Sequence, residues 1–236
     1  MNSRTVDNIF DLAHLRECTS VFRDRLHAGR CIAAMIRETD AVVLGIPAGG
    51  IPVAAVVARI LGFGLAVAVV SKITLPWNTE AGYGALAFDG SLRLNTRLIA
   101  QSGLTPDQVR TGIDRTRIKV AGRVQRLCGG RPLPELSGKT AIVVDDGLAS
   151  GYTLEAAIAA LTHCGLRRIV AAVPTGHAGA VEVIARQVHA LYCPNIRSGP
   201  RFAVADAYKH WSDVSDSDVE DMLKSVETVP TTETSG

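Results

Sequence analysis

The sequence predicts an α/β fold: a doubly wound, mainly parallel five-stranded sheet with a hairpin-plus-helix insertion. Short apolar runs rich in β-branched residues recur along the chain, and segments with helical periodicity separate most of them. This alternation is typical of a parallel sheet with helices on both faces. The five strand candidates are residues 41–46, 65–70, 141–144, 169–173 and 190–192. The helical patterns cover residues 51–61, 153–164 and 178–188.

The long gap between the second and third strands, residues 72–139, is predicted to be a folded insertion. Residues 85–88 and 91–94 flank Asp89-Gly90, a two-residue hairpin turn in which glycine tolerates positive φ. Residues 105–108 then form a capping box with proline at the first helical position, followed by one apolar stripe to Leu127. We therefore predict one domain over residues 1–223 and a disordered tail over residues 224–236.

The composition favours a soluble protein of the cytoplasm. The chain has 236 residues, of which 47% are hydrophobic, enough for a full core. Its apolar runs are shorter than the ~18 residues of a membrane span, and its polar start lacks a signal-peptide pattern, so no membrane partner is expected. The five scattered cysteines contain no CxxC pair, which favours reduced packing residues over zinc ligands or disulfides.

The net charge of +2 hides an asymmetry between the body of the chain and its end. Residues 212–236 hold seven acids and one base, so the preceding part carries 24 basic and 16 acidic side chains. Most of the excess lies in residues 92–137. This basic stretch has no interleaved aromatic residues and no nucleic-acid module, so a solvated helix face or a rim that attracts anions is favoured over nucleic-acid binding.

The most informative segment is the transition from the third strand to the next helix. Asp145 and Asp146 follow a fully apolar strand, at the edge where open α/β sheets bind ligands. The small residues that follow let backbone N–H groups converge on an anion at the positive end of the helix. Two carboxylates beside such a site suit vicinal hydroxyls, and a ribose 5-phosphate supplies both groups.

Residues 142–153, which read IVVDDGLASGYT, resemble the phosphoribosyl-diphosphate (PRPP) signature of type I phosphoribosyltransferases. The resemblance implies transfer of the 5-phosphoribosyl group between PRPP and an acceptor, with release of pyrophosphate. It also implies that Asp145 and Asp146 hold the ribose hydroxyls and contact Mg²⁺ indirectly, through ribose or water. The residues that it assigns to the ribose phosphate are Gly147, Ala149, Ser150, Gly151, Tyr152 and Thr153.

Other segments between about residues 20 and 223 resemble a bacterial and archaeal branch of predicted phosphoribosyltransferases. They are residues 22–29, 44–54, 72–80 and 202–208. By this resemblance Ala48, Gly49 and Gly50 form the loop that takes the pyrophosphate, and Lys72 is a catalytic cation near it.

This chain departs from the branch at two positions. The branch usually has Pro-Arg-Gly-Gly in the first loop and Arg-Lys after the second strand, whereas this chain has Ala48 and Ser71 in place of the two arginines. The loss leaves turnover in question, because a cation at a departing phosphate stabilises the transition state. A PRPP- or nucleotide-sensing protein without turnover therefore stays open as the alternative, and a nucleic-acid-linked regulator as a weaker third.

Three residues are candidates for the acceptor site. Glu80 is placed either to orient a substrate amine or to cap a loop, and Phe202 and Tyr208 either to stack on the acceptor or to pack in the core. The acceptor is expected to be a small molecule, a nucleobase or related nitrogen compound, and a homodimer is left open.

Overall fold

The fold is described by a computed structural model that covers residues 7–130 and 133–225. The strands are β1 Ile9–Phe10, β2 Val42–Gly45, β3 Gly64–Val67, β4 Val70–Leu75, β5 Asn78–Ala87, β6 Leu92–Leu94, β7 Thr140–Val144, β8 Arg168–Ala172, β9 Thr175–His177, β10 Ala190–Tyr192 and β11 Asn195–Arg197. The helices are α1 Arg25–Ala33, α2 Gly50–Leu61, α3 Thr96–Gln101, α4 Pro106–Cys128, α5 Tyr152–Thr162, α6 Ala178–Ala185 and α7 Asp216–Ser225.

The central sheet has six strands in the order β1-β10-β8-β7-β2-β3, and every neighbouring pair is parallel. The predicted doubly wound, mainly parallel α/β fold is confirmed. All five predicted strands contribute to this sheet, and the two-residue edge strand β1 is an addition. From β2 the chain goes to β3 on one side and later returns to β7 on the other, so the strand order reverses between β2 and β7.

Helices cover both faces of this sheet, as the apolar strands require. Val143 of β7 packs in one cluster with Leu161 of α5, whereas its neighbour Ile142 packs in a second cluster with Val57 of α2 and Ile32 of α1. Alternate residues of a strand point to opposite faces. All five residues of β7 are therefore buried, and the strand has no solvated face.

The insertion is larger than the predicted hairpin. Strands β4, β5 and β6 form a separate three-stranded antiparallel sheet, because the predicted strand 65–70 is divided into β3, which ends at Val67, and β4, which begins at Val70. The predicted turn at Gly90 has φ of 91°, and the predicted capping box starts α4. The insertion has a small core of its own, centred on Ile73 and Tyr83.

Two features lie outside the predicted elements. Strands β9 and β11 form a short parallel pair, tied by a hydrogen bond of 2.6 Å from Thr175 Oγ1 to Asn195 Oδ1. Helix α7 reaches Ser225, two residues into the predicted tail, and packs on α4 through an ion pair of 2.8 Å between Asp216 and Arg123. The rest of that tail, residues 226–236, lies outside the described residues. Within the described ranges, no helix is both long and apolar enough to cross a membrane.

Candidate active site

The site forms where the carboxyl ends of β2 and β7 meet, at the point where the strand order reverses. In open α/β sheets this crevice is the usual place for a ligand. The parallel pairing of β2 with β7 places Gly45 beside Val144, so the loops that follow these two residues are neighbours. A Cβ added at Gly49 would lie 2.0 Å from Oδ2 of Asp146. A Cβ added at Gly50 would lie 2.7 Å from the carbonyl oxygen of Val144. The first loop therefore approaches the acidic pair at backbone distance, which only glycine allows.

Asp145 and Asp146 each keep one carboxylate oxygen without a partner among the described residues. The backbone N–H of Asp146 donates to Oδ1 of Asp145 at 2.9 Å, which leaves Oδ2 of Asp145. Arg25 donates to Oδ2 of Asp146 through Nε at 3.0 Å, and one of its terminal nitrogens lies 2.9 Å from the same oxygen in an ion pair, which leaves Oδ1 of Asp146. The pair thus offers two hydrogen-bond acceptors on consecutive residues.

Burial raises the pKa of both acids. Burial raises the pKa of Asp145 well above its ordinary range, and the charge of Asp146 raises it further. Burial also raises the pKa of Asp146, while the charge and hydrogen bonds of Arg25 act in the opposite direction. The charge of Lys72 on β4 lowers the pKa of both acids, so this exposed lysine lies within electrostatic range of the pair.

The turn after the acids is held by hydrogen bonds at Leu148, and the N–H groups that follow are free among the described residues. Leu148 is buried; its N–H donates to the carbonyl of Thr175 and its carbonyl accepts from the N–H of His177, both at 2.8 Å. Gly151 has φ of 87°, a left-handed conformation that favours glycine, and α5 begins at the next residue. Within the described part of the chain, the N–H groups of residues 149–151 donate no hydrogen bond. Together with the first turn of α5, where Tyr152 and Thr153 lie, they have the form of backbone that can bind an anion.

The first loop, residues 48–50, also leads directly into a helix, α2. Gly49 precedes α2, and the N–H of Gly50 donates to the carbonyl of Ile46 at 3.0 Å. The peptide bond between Pro47 and Ala48 is cis. The half-buried side chain of Ala48 packs against a cluster that includes Ile51. A neutral methyl group therefore occupies the position where the resembling branch has a guanidinium.

The second missing arginine, at position 71, has a partial counterpart. Ser71 is buried, and its hydroxyl accepts a hydrogen bond of 3.2 Å from Arg123 of α4. That guanidinium is also paired with Asp216 of α7. The basic insertion thus brings a cation to residue 71, next to Lys72.

The three acceptor candidates have different surroundings. Tyr208 is buried, packs against Phe22 and Trp211, and donates a hydrogen bond of 2.6 Å to the carbonyl of Asp146. Core packing, one of the two roles left open from the sequence, is the arrangement found for this residue. Phe202 is half-buried, with the guanidinium of Arg197 4.5 Å from its ring centre. Its role stays a prediction. So does that of Glu80, which lies in β5 with its side chain outside what is described.

A metal ion would have few protein ligands here. The described residues contain no group of three or more histidine, cysteine or acidic side chains arranged to hold one. Mg²⁺ keeps several waters and is often bound by one or two carboxylates together with substrate phosphates. The partner-free oxygens of Asp145 and Asp146 fit that form of binding.

Arg25 is the residue of this site that sequence reasoning missed. It begins α1, directly after the N-cap Asp24, whose side chain accepts from the N–H of His27 at 2.7 Å. A cation in the first turn of a helix is unfavourable, because that end carries positive partial charge. An arginine at this position therefore indicates an acidic partner elsewhere in the chain.

Comparison with known proteins agrees with this geometry. A family profile described as "Phosphoribosyl transferase domain" matches residues 23–192, a range that contains both loops and the acidic pair. Two Mycobacterium tuberculosis proteins, each described as "Putative phosphoribosyl transferase", are 34% identical over 210 residues. The match covers 84% of this chain and 45% of each relative, so the chain spans less than half the length of those proteins.

A solved structure matches this chain along nearly its whole length. The crystal structure of TT1426 from Thermus thermophilus is 35% identical, with a TM-score of 0.65, and the match covers 87% of this chain and 98% of that one. The profile match and these relatives show that the chain belongs to the phosphoribosyl transferase domain family.

Proposed function

We propose that this chain transfers the 5-phosphoribosyl group from PRPP to an acceptor nucleophile and releases pyrophosphate. One observation carries the proposal. Asp145 and Asp146, each with one partner-free carboxylate oxygen, lie against the loop of Gly49 and Gly50 and directly before a turn with free N–H groups. PRPP has the matching groups, which are a vicinal diol, a phosphate and a pyrophosphate.

The acidic pair suits the ribose better than a phosphate. Vicinal hydroxyls donate hydrogen bonds, and Asp145 Oδ2 with Asp146 Oδ1 supplies one acceptor for each. A phosphate at the same place would be repelled by two carboxylates. Hydrogen bonds to charged acceptors are the stronger class, at about 1.5–3 kcal/mol each, so the diol contributes substantially to affinity.

The two loops bind the two anionic groups of PRPP. The 5-phosphate binds the turn of residues 147–153 at the start of α5, and the pyrophosphate binds the loop of residues 48–50 at the start of α2. Lys72 adds a full positive charge near the acids. Mg²⁺, when bound beside Asp145 and Asp146, would offset the negative charge of the pyrophosphate.

The proposed reaction breaks the bond between C1 of the ribose and a pyrophosphate oxygen, and the electron pair leaves with the pyrophosphate. The lone pair of the acceptor, a nitrogen in our proposal, forms the new bond to C1, and a proton leaves the acceptor. Positive charge develops on the ribose ring between these events. The contribution of the chain is to hold the ring and to stabilise the leaving anion.

A second candidate function is a PRPP sensor without turnover, which the neutral side chain of Ala48 favours. Titration calorimetry with PRPP and Mg²⁺, followed by a pyrophosphate-release assay over a panel of nucleobases, distinguishes the two. Binding with release supports the transferase. Binding without release for any acceptor supports the sensor, and failure to bind PRPP contradicts both.

A further inference from the structure

Arg25 is a nearly buried cation with an unusually complete set of partners. Its side chain is 9% exposed. Nε donates to Asp146 Oδ2, one terminal nitrogen lies 2.9 Å from the same oxygen, and the other terminal nitrogen donates to the carbonyl of Ser212 at 2.8 Å. The indole of Trp211 lies over the guanidinium, with its ring centre 3.8 Å from the central carbon. Three parts of the chain therefore meet at this one side chain.

These contacts distinguish Arg25 from an ordinary surface ion pair. The preceding Arg23 pairs with Asp24, but its side chain is 59% exposed, and such pairs are screened by water. Arg25 has lost most of its water and lies at the positive end of α1. Both circumstances disfavour a cation, and the partner that compensates them is a residue of the candidate site.

The geometry of the pair determines which oxygen of Asp146 remains available. Nε of Arg25 donates to Oδ2, a terminal nitrogen of Arg25 lies 2.9 Å from it, and the backbone of Gly49 lies against the same oxygen. Tyr208 holds the backbone of Asp146 through its carbonyl. The carboxylate is thereby held from several sides, while Oδ1 has no partner among the described residues.

We propose that Arg25 is a positioning residue for the ribose. It fixes the carboxylate of Asp146 so that Oδ1 is presented to a ribose hydroxyl, and Trp211 and Ser212 fix Arg25 in turn. The segment that follows β11 then supports the site through Trp211 and Ser212, which contact Arg25. This inference rests on the proposed function, because it takes the ribose of PRPP to be the group that Asp146 binds.

A positioning role predicts selectivity between ligands. Loss of Arg25 weakens ligands that contain the ribose and spares ligands that bind only the first loop. A purely structural role would weaken both, because the first loop lies against the same carboxylate. Ribose 5-phosphate and inorganic pyrophosphate, each with Mg²⁺, are the two probes that separate these outcomes.

The experiment measures both affinities by titration calorimetry for the unmodified chain and for Arg25→Gln, Arg25→Lys and Arg23→Gln. We expect Arg25→Gln to raise the Kd for ribose 5-phosphate by about tenfold or more and to leave that for pyrophosphate within about twofold. Arg25→Lys keeps the charge but not the pair of N–H groups, so it restores part of the loss. Arg23→Gln, the matched control two residues earlier, should change neither the Kd for ribose 5-phosphate nor the Kd for pyrophosphate.

Trp211→Leu keeps the test decisive if Arg25→Gln does not fold. The indole is partly exposed, so its removal loosens Arg25 without burying an unpaired charge. It should raise the Kd for ribose 5-phosphate alone, by less than Arg25→Gln does.

The failures of the two proposals can be told apart. If the unmodified chain binds neither ribose 5-phosphate nor PRPP, the proposed function is wrong. If it binds ribose 5-phosphate, and both Arg25→Gln and Trp211→Leu bind it equally well, only the role of Arg25 is overturned. Equal weakening of both probes also contradicts positioning and indicates a structural role.

Discussion

The backbone of Gly49 lies against the carboxylate of Asp146, so close that a Cβ at position 49 would be 2.0 Å from Oδ2. The two residues are far apart in sequence and meet because β2 and β7 are adjacent parallel strands whose carboxyl ends lie at one edge of the sheet. The proposed pyrophosphate loop is therefore in direct contact with one of the proposed ribose acids. A change in the loop must move the acid.

Gly49→Ala tests this relationship. Gly49 has φ of −62°, which alanine adopts freely, so the effect of the substitution comes from the Cβ alone. We expect the carboxylate of Asp146 to shift, the Kd for PRPP to rise by about tenfold or more, and stability to fall by about 1–3 kcal/mol, as for other overpacked sites. Calorimetry and thermal unfolding measure the two effects.

Gly122→Ala is the control for that substitution. Gly122 lies within α4, and nothing would contact a Cβ there within 4 Å. This variant should gain about 0.5–1 kcal/mol of stability, because alanine is the better helix former, and should bind PRPP as the unmodified chain does. Unchanged PRPP affinity in Gly49→Ala as well would show that the contact between the loop and Asp146 is irrelevant to binding.

Ser150→Asp tests the proposed phosphate turn. Ser150 is exposed and lies where the free N–H groups converge, so a carboxylate there would compete with a phosphate and repel it. We expect the Kd for ribose 5-phosphate to rise by about tenfold or more, with little change in the melting temperature. Ser217→Asp makes the same substitution at an exposed serine in the first turn of α7 and should leave binding unaltered. Equal affinities for the two variants would place the phosphate elsewhere.

Much of the fold could be predicted because its signals are local. The capping box at Thr105 and a turn with positive φ at Gly90 depend on a few adjacent residues, and both are present, although the hairpin loop spans Phe88 to Gly90 and is one residue longer than the predicted Asp89-Gly90 turn. The division between β3 and β4 was missed because the apolar run continues through Val67 and Val70 while the chain leaves one sheet for another. Strand β1 has two residues, too few for any periodicity.

The site was predictable to the extent that its residues are consecutive. Asp145, Asp146 and the small residues after them form one recognisable segment. Arg25 and the hydroxyl of Tyr208 reach the pair from distant parts of the chain, and no spacing rule connects them with it. The contact between Gly49 and Asp146 likewise depends on strand order, which a list of strands does not specify.

Ala48→Arg tests whether the missing guanidinium limits turnover. If it does, pyrophosphate release should rise by about ten- to a hundredfold, equivalent to roughly 1.4–2.7 kcal/mol of transition-state stabilisation. Affinity for PRPP should rise less, because charge on the leaving group grows as the bond breaks. The methyl group of Ala48 packs against the cluster around Ile51, so an arginine must extend out of that contact.

The contrary results for Ala48→Arg are also informative. Tighter PRPP binding with no pyrophosphate release from any acceptor would favour the sensor. Weaker PRPP binding would contradict the assignment of this loop to the pyrophosphate.

Hydrogen exchange tests whether the insertion covers the bound ligand. Its three-stranded sheet carries an exposed Trp77 at the turn between β4 and β5, with 61% of the residue accessible. A cover that excludes water would protect the reactive ribose from hydrolysis. Amide exchange over residues 74–98 should slow when PRPP and Mg²⁺ are added and stay unchanged with Mg²⁺ alone. Identical exchange in both conditions would count against a covering role.

The most direct test of the ribose assignment is PRPP binding by Asp145→Asn and by the double variant Asp145→Asn with Asp146→Asn. Asparagine keeps the shape of each side chain and removes the negative charge. Burial already raises the pKa of both acids, and the charge of Asp146 raises that of Asp145 further, so their charged forms are not favoured by the fold. Asp145 has no ion-pair partner among the described residues to leave behind, so its single variant should keep the melting temperature of the unmodified chain.

Calorimetry with PRPP and Mg²⁺ gives the decisive number. The account predicts that Asp145→Asn raises the Kd by about tenfold or more and that the double variant raises it by about a hundredfold or more, with Asp145→Asn still folded. Unchanged affinity in a folded double variant would contradict the central claim that these two acids hold the ribose.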